Sequence, residues 1–200
     1  MQKILLASNN KHKAKEFKQI FEKEKIELEI LLPSDLHLSG FDVEETGLTF
    51  EENAVIKAKA FFEAAGMPVI ADDSGLEVDA LDLKPGVLSA RYAGIHGDDA
   101  ANRTKVLAEL RNTDVQHRLA RFRCVICYYD GKDTVIASGS VEGLIGSSEK
   151  GSGGFGYDPI FIPVGYEQTF AEMNQDEKNK ISHRGRAIED FIRKYKVFSS

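Results

Sequence analysis

The sequence has no tryptophan and only two cysteines and five prolines in 200 residues. No apolar run approaches the roughly 20 residues that a membrane-spanning helix needs, and the apolar part of the first segment is too short for a signal peptide. We therefore expect a cytoplasmic protein without a membrane partner. Basic residues are not in excess either. The net charge of −6 disfavours a non-specific nucleic-acid-binding protein, including an RNA-binding module.

The two cysteines, Cys124 and Cys127, have the spacing of half of a zinc or redox motif. No second cysteine pair is present in the sequence to complete a zinc site. The segment 118–129 around them has the pattern of a strand, on which positions three apart point to opposite faces. We interpret both cysteines as packing residues.

The remaining composition, with 42% hydrophobic and 29% charged residues, is typical of a globular protein. Two hundred residues can bury a substantial core, and we predict a single domain over residues 1–200. The hydrophobic patterns predict strands over 3–7, 26–32, 69–71, 76–81, 119–129, 134–145 and 160–162. They predict helices after 13, over about 49–65 and 98–111, and after 182, with a frayed end at 198–200.

The stretch 68–75 is the centre of the predicted site, because two adjacent carboxylates, Asp72 and Asp73, follow a short buried strand. Asp and Gly are poor strand formers, so we expect the strand to end there and turn. A carboxylate exposed at a strand end suits a magnesium ligand or a base that activates water. Taken alone, the stretch is more typical of an ordinary acidic turn.

Two further segments before this stretch carry polar groups. Ser8–Lys13 lies between a strand and a helix start, where free N–H groups and the helix dipole favour an anion, although a simple cap has the same residues. Thr49, with Glu52 three residues later, predicts a capping box at the second helix. The pair Glu44 and Glu45 is either a solvated loop or the source of a second metal ligand beside Asp73.

Two segments after the central stretch also indicate ligand contact. The segment 151–156 has four glycines in six residues, which let backbone approach a ligand closely. Phe155 and Tyr157 offer flat faces for a nucleobase, although a flexible surface loop is the alternative. His183 and Arg184 would follow an N-cap at Ser182, where the helix dipole disfavours cations. They are therefore expected to face an anionic or carbonyl group, although a solubilising charged segment over 176–186 is the alternative.

Six motifs therefore occur in order along the chain: Ser8–Lys13, Glu44–Phe50, Ala71–Leu76, Pro85–Gly86 with Ser89–Tyr92, Gly153–Pro159 and Ile181–Arg184. Together they closely resemble the bacterial branch of the inosine triphosphate pyrophosphatase family, the non-canonical purine nucleoside triphosphate pyrophosphatases or XTP/dITP diphosphatases. Each motif alone is weak, but six in register are highly specific. His12 is a small exception, because relatives often carry glycine there.

The resemblance implies an α/β fold with a long, twisted, mixed β-sheet, flanking helices in two lobes and a substrate cleft between them. It also implies hydrolysis of ITP, dITP and XTP to the nucleoside monophosphate and pyrophosphate, with Mg²⁺ as cofactor and a homodimeric assembly. Such an enzyme removes deaminated purines from the nucleotide pool.

The resemblance further implies roles for individual residues. Asp73 would be the catalytic carboxylate and a metal ligand, with Glu45 as the second ligand, although the sequence does not distinguish Glu45 from Glu44. Phe155 would stack on the purine, and the residues lining the base pocket would be Asp158, Lys178, His183 and Arg184. The implied substrate-binding residues are Ser8, Asn9, Asn10, Lys11, His12, Lys13, Lys57, Ser74, Phe155, Gly156, Tyr157, Asp158, Lys178, His183 and Arg184.

Two other functions remain open at this stage. A Maf-type pyrophosphatase acting on modified pyrimidine or guanine nucleotides would share the architecture, and the segments at Phe155 and at Ser182–Arg184 favour the purine branch over it. A non-catalytic nucleotide sensor is the other alternative. Carboxylates at Glu45 and Asp73 disfavour a sensor, because they do not help a protein that only binds an anion.

Overall fold

The strands of the computed structural model, which describes residues 2–198, belong to one seven-stranded sheet. They are β1 (Gln2–Leu6), β2 (Leu28–Leu31), β3 (Val69–Val78), β4 (Lys84–Pro85), β5 (Leu119–Tyr129), β6 (Thr134–Ile145) and β7 (Phe161–Pro163). Their order is β2-β1-β3-β5-β6-β7, with β4 paired to β3. The pairs of β1 with β2 and β3 are parallel, whereas β3–β4 and β6–β7 are antiparallel. The sheet is therefore mixed.

Five α-helices flank the sheet: α1 (Lys11–Lys23), α2 (Phe50–Ala65), α3 (Asp99–Glu109), α4 (Gln175–Ile181) and α5 (His183–Phe198). The predicted α/β fold is confirmed. The capping box at Thr49 and Glu52 forms as predicted, and Gly66 ends α2 in the left-handed conformation. Helix α1 begins earlier than expected, because the side chain of Asn10 caps it by accepting from His12 N and Lys13 N.

The chain divides into two compact units. The first takes its described residues from Met1–Asp73, Cys124–Gly139 and Arg184–Ser200, and the second from Ser74–Arg123 and Ser140–His183. The prediction of one domain over 1–200 stays a prediction. In the first unit, the rings of Phe21 on α1 and Phe191 on α5 stack at 6.2 Å within a core that includes residues of β1 and β3. In the second unit, the core is centred on aromatic residues, including Phe122, Phe161 and Phe170.

The expected end of the central strand at Asp72 is wrong. Strand β3 continues without interruption to Val78, and nine of its ten residues are buried. The low strand propensity of Asp and Gly is overridden because the two carboxylates have partners in the folded chain, described below. The separate strand predicted over 76–81 is therefore wrong: residues 76–78 are the end of β3, and Asp79–Leu81 form a 3₁₀ helix.

Other boundaries differ in ways that follow from local chemistry. Strands β5 and β6 have the predicted bounds, whereas β2 is shorter than the predicted 26–32. Helix α4 was not predicted; the side chain of Asn174 caps it by accepting from Glu177 N. Helix α5 begins at His183, as predicted, and includes Phe198, whereas Ser199 and Ser200 of the predicted frayed end lie outside the described residues.

Within residues 2–198, none of the helices combines the length and the apolar character required to cross a membrane.

Candidate active site

Asp72 and Asp73 are consecutive residues of β3, so their side chains leave the strand on opposite faces. Both are buried, with 1% and 6% of their surface exposed. The sequence predicted a carboxylate exposed at the end of the strand. Both carboxylates are instead buried within β3. Their surroundings in the first unit differ, and this difference determines what each carboxylate can do.

Asp72 is surrounded by cations. Its Oδ2 lies 2.9 Å from Lys13 Nζ and 3.3 Å from Arg184 Nε, and its backbone carbonyl accepts a hydrogen bond of 3.1 Å from Lys57 Nζ. Burial alone would raise the pKa of Asp72, but the charges of Lys13, Arg184 and Lys57 lower this pKa far below its usual range. Asp72 therefore remains ionised and is a poor proton acceptor.

A second buried acid completes this arrangement. Glu16, on α1, accepts from Arg184 Nη1 at 2.6 Å, and both side chains are almost wholly buried. Burial alone would lower the pKa of Arg184, whereas the adjacent Glu16 and Asp72 raise it. Glu16, Arg184, Asp72 and Lys13 thus form a continuous row of alternating charges, which we call the buried charge row.

The interpretation of Cys124 as a packing residue is confirmed. Cys124 is fully buried, with its Sγ 3.9 Å from Asp72 Oδ2. Burial and the negative charge of Asp72 raise the pKa of its thiol above its usual value. A protonated thiol in that position is neither a nucleophile nor a metal ligand. Cys127 is likewise buried in β5.

Asp73 has a different environment. Its Oδ2 accepts a hydrogen bond of 3.1 Å from Asn53 Nδ2. Burial raises the pKa of Asp73 to about 6, the charge of Lys57 opposes this shift, and the like charge of Glu45 adds to it. A carboxyl group whose pKa lies this close to neutrality is suited to accept a proton during a reaction.

Glu45 and Lys57 lie beside Asp73. Lys57 Nζ is 2.5 Å from Glu45 Oε1, whereas the neighbouring Glu44 is exposed. Burial alone would lower the pKa of Lys57, but Glu45, Asp72 and Asp73 raise it, so the lysine stays charged. Between Glu44 and Glu45, the geometry therefore favours Glu45 as the second carboxylate of this group.

Asn53 was missed by the sequence analysis. Its amide donates to Asp73 and accepts a hydrogen bond of 2.7 Å from Gly47 N, which ties the segment carrying Glu45 to α2. A Cβ added at Gly47 would lie 2.7 Å from Asn53 Oδ1, so only glycine fits there. The available signal was an asparagine one helical turn before Lys57. Glu16 and Asp72 were also missed as functional residues.

The carboxylates of Glu45 and Asp73 supply part of the coordination that a divalent cation requires. Glu45 and Asp73 supply hard carboxylate oxygens, and the repulsion between them would be relieved by a cation. No group of three or more His, Cys, Asp or Glu residues that could hold a metal occurs among the described residues. A site of two carboxylates completed by water and phosphate oxygens is characteristic of Mg²⁺.

The predicted anion-binding segment is at the start of α1. Asn10 N donates to Ser8 Oγ at 3.2 Å, and Asn9 Nδ2 donates to Ser39 O at 3.3 Å. Lys11 and His12 are exposed, whereas Lys13 is directed to Asp72. The positive end of the α1 dipole and the two lysines at 13 and 57 supply positive potential in the first unit.

The second unit contains the glycine-rich segment. Asp158 Oδ2 accepts from Phe155 N at 2.8 Å and from Lys178 Nζ at 2.6 Å. The same Nζ is 4.8 Å from the centroid of the Phe155 ring. Gly154 has a φ of +70°, and a Cβ there would lie 2.1 Å from Asp158 Oδ2, so this turn requires glycine.

Tyr157 and His183 are buried in the second unit. The hydroxyl of Tyr157 donates to Ser89 O at 2.8 Å, so this side chain anchors the segment. The imidazole of His183 stacks on the ring of Phe122, with a centroid distance of 4.6 Å and an angle of 12°. Among the residues expected at the purine, only Phe155 and Gly156 are partly exposed.

The predicted site residues thus fall into two groups. The first unit contains Ser8, Asn9, Asn10, Lys11, His12, Lys13, Glu45, Lys57, Asp73 and Arg184, and the second contains Ser74, Phe155, Gly156, Tyr157, Asp158, Lys178 and His183. Arg184 was expected with the purine-binding residues, but its guanidinium lies in the buried charge row of the first unit. Its contact with a purine stays a prediction.

The chain is similar over most of its length to proteins of one family. The profile of the Ham1 family matches residues 4–194. A protein of Oceanobacillus iheyensis named dITP/XTP pyrophosphatase is 52% identical over 190 residues, covering 94% of this chain and 95% of that protein. The Bacillus subtilis protein of the same name is 48% identical over 191 residues, covering 94% of each.

Solved structures show the same similarity. The Staphylococcus aureus Ham1 protein matches with a TM-score of 0.86 and 42% identity over 100% of both chains. A HAM1 protein from Coxiella burnetii also gives a TM-score of 0.86, with 41% identity over 96% of both chains.

Proposed function

Because the chain belongs to the Ham1 family, we propose that it hydrolyses the non-canonical purine nucleoside triphosphates ITP, dITP and XTP. The products are the nucleoside monophosphate and pyrophosphate. The family membership predicted from the six motifs is confirmed. The relatives described above give no support to a Maf-type enzyme.

Asp73 is the observation that carries the catalytic part of the proposal. Hydrolysis breaks the bond between the α- and β-phosphates, and the attacking water must lose a proton. The pKa of Asp73, at about 6, lets the carboxylate accept that proton near neutral pH. The charged neighbour Asp72, whose pKa is held low, remains the counter-ion that positions Lys13.

Lys13 and Lys57 would neutralise charge on the triphosphate. Phosphoryl transfer depends mostly on positioning and electrostatic stabilisation, so two half-buried cations are what the reaction requires. In the first unit each lysine is held by a carboxylate, Lys13 by Asp72 and Lys57 by Glu45. These ion pairs hold the ammonium groups in place before substrate binds.

Family membership is consistent with a divalent metal cofactor, and we propose Mg²⁺. Glu45 and Asp73 would hold the ion, and phosphate oxygens and water would complete its coordination. The ion would supply charge neutralisation at the triphosphate. We also propose that the enzyme acts in the cytoplasm as a homodimer, as the family resemblance implies.

The family acts on purine nucleotides, and Phe155 supports a place for the purine in the second unit. Its ring is partly exposed and therefore available for stacking. Lys178 and His183 would contribute donors near position 6, which a keto oxygen accepts and an amino group does not. A polar mismatch of this kind can discriminate by about 10⁴.

The test is pyrophosphate release from ITP, XTP, dITP, GTP, ATP and dTTP, with Mg²⁺ and with a chelator. We expect metal-dependent release from the first three, with the monophosphate as second product. Release mainly from dTTP would instead favour the Maf-type alternative. Binding of ITP without any release would indicate a sensor and contradict the proposal.

A further inference from the structure

The peptide groups at Gly156 are held by two side chains of one helix. Gly156 N donates to Asp99 Oδ2 at 2.8 Å, and Arg103 Nη1 donates to Gly156 O at 2.9 Å. Asp99 and Arg103 are four residues apart in α3, so they project from the same face of that helix. Both backbone groups of a single residue are therefore bound by side chains of opposite charge.

Neither side chain is the N-cap of α3. Asp98, not Asp99, is the N-cap of α3, and its side chain accepts from Ala101 N at 3.0 Å. Arg103 forms one other ion pair, with Glu149 (3.0 Å between Nε and Oε2), and only 15% of its side chain is exposed. Holding a long, charged side chain in this position costs conformational entropy, and its hydrogen bond to Gly156 offsets that cost.

The hydrogen bonds to Gly156 restrict a backbone position that has no side chain to fix it. Its φ is +60°, and no atom lies within 4 Å of the place where a Cβ would be. A glycine without side-chain packing has many accessible conformations in the absence of other constraints. Phe155 is fixed on one side by its N–H bond to Asp158. On its C-terminal side, Phe155 is joined directly to the peptide group whose N–H, that of Gly156, donates to Asp99.

We propose that Asp99 and Arg103 are positioning residues that fix the Gly156 peptide and thereby the orientation of the Phe155 ring for stacking on the purine. This inference rests on the proposed function, because it takes Phe155 as the contact for the base. Asp99 and Arg103 act through Phe155 and do not touch the substrate.

The experiment measures kcat and KM for ITP in Arg103→Ala and Asp99→Ala. Loss of one charge-assisted hydrogen bond should raise KM about tenfold, with kcat changed less than about twofold. Glu149→Gln is the matched control, because it removes the other ion pair of Arg103 and leaves Gly156 untouched; its KM should equal that of the unmodified protein.

Two further measurements separate positioning from general damage. Inorganic tripolyphosphate has no base, so its inhibition constant should be unchanged in Arg103→Ala, whereas an equal loss for tripolyphosphate and ITP would overturn the inference. In a double variant with Phe155→Ala, the change at Arg103 should add nothing further to KM. Additive effects, or a folded Arg103→Ala protein with unchanged KM, would also overturn it.

Failure of the proposed function is distinguishable from failure of this inference. An unmodified protein that hydrolyses none of the purine substrates would refute the function. The positioning role is then decided by hydrogen exchange at the Gly156 amide, which should be about tenfold faster in Asp99→Ala than in Glu149→Gln. Equal exchange in the two variants would refute the role of Asp99.

Discussion

The two groups of site residues are held in place by different interactions. In the first unit, Asp72, Asp73 and Glu45 are positioned by cations and by one asparagine. In the second unit, two backbone hydrogen bonds position Phe155. Its own N–H donates to Asp158, and the N–H of the following Gly156 donates to Asp99. The first arrangement sets ionisation states, and the second sets the orientation of a ring. Changes in the first unit should therefore act mainly on rate and stability, and changes in the second mainly on binding.

The largest effect is expected for Asp73→Asn. The amide has nearly the same shape but accepts no proton, so kcat for ITP should fall about 10³-fold. The exposed Asp82, whose φ of 54° asparagine tolerates, provides the matched control Asp82→Asn, with unchanged kcat. Activity of Asp73→Asn within tenfold of the unmodified protein would remove Asp73 from its catalytic role.

The second-largest effect is expected on stability, from a change in the buried charge row. Glu16→Gln leaves Arg184 buried without one of its two carboxylate partners, so the free energy of unfolding should decrease by about 3 kcal/mol. Urea denaturation measures this change, and Glu22→Gln, at an exposed position of the same helix, should change stability by less than about 0.5 kcal/mol. Equal stabilities of the two variants would show that the row contributes nothing.

Phe155→Ala tests the second unit. Loss of stacking, worth about 1–3 kcal/mol, should raise KM for ITP with a much smaller effect on kcat. Tyr166→Ala removes an exposed aromatic ring of the same unit and serves as the control, with KM unchanged. A fall in kcat for Phe155→Ala as large as that for Asp73→Asn would contradict the division between rate and binding.

The smallest effect is expected at Asp190, whose partners Arg193 and Lys194 are 76% and 45% exposed. Although partial burial alone would raise the pKa of Asp190, hydrogen bonds from Lys194 and Arg193 hold this pKa below its ordinary value of 3.8. The stabilisation is therefore present above that ordinary pKa and is lost as the pH falls through the folded-state pKa. Asp190→Asn should cost about 0.5 kcal/mol at pH 7.

Urea denaturation at pH 7 and at progressively lower pH measures this difference between Asp190→Asn and the unmodified protein. The difference should shrink in acid. A difference that grows as the pH falls would show that the pKa is shifted in the opposite direction. Together with Glu16→Gln, this variant separates the contribution of an ion pair with both partners buried from that of a pair whose cations are exposed, within the same unit.

Much of the local structure around the candidate site could be predicted because its signals are local. The capping box at Thr49 and Glu52 involves residues three apart, and the bounds of β5 and β6 follow from short apolar patterns with a turn between them. The motif around Phe155 was likewise visible as four glycines near two aromatic rings. Each of these features depends on interactions among residues close in the sequence.

The amino-acid sequence by itself determined the family, the α/β class and the bounds of β5 and β6. Only the tertiary structure decided that β3 runs through Asp72 and Asp73, that Glu45 and not Glu44 lies beside them, and that their pKa values shift in opposite directions. The reason is that ionisation depends on burial and on charges brought together by folding. Glu16, Asp72 and Arg184 form one row although up to 168 positions separate them in the chain, and no local pattern encodes that contact.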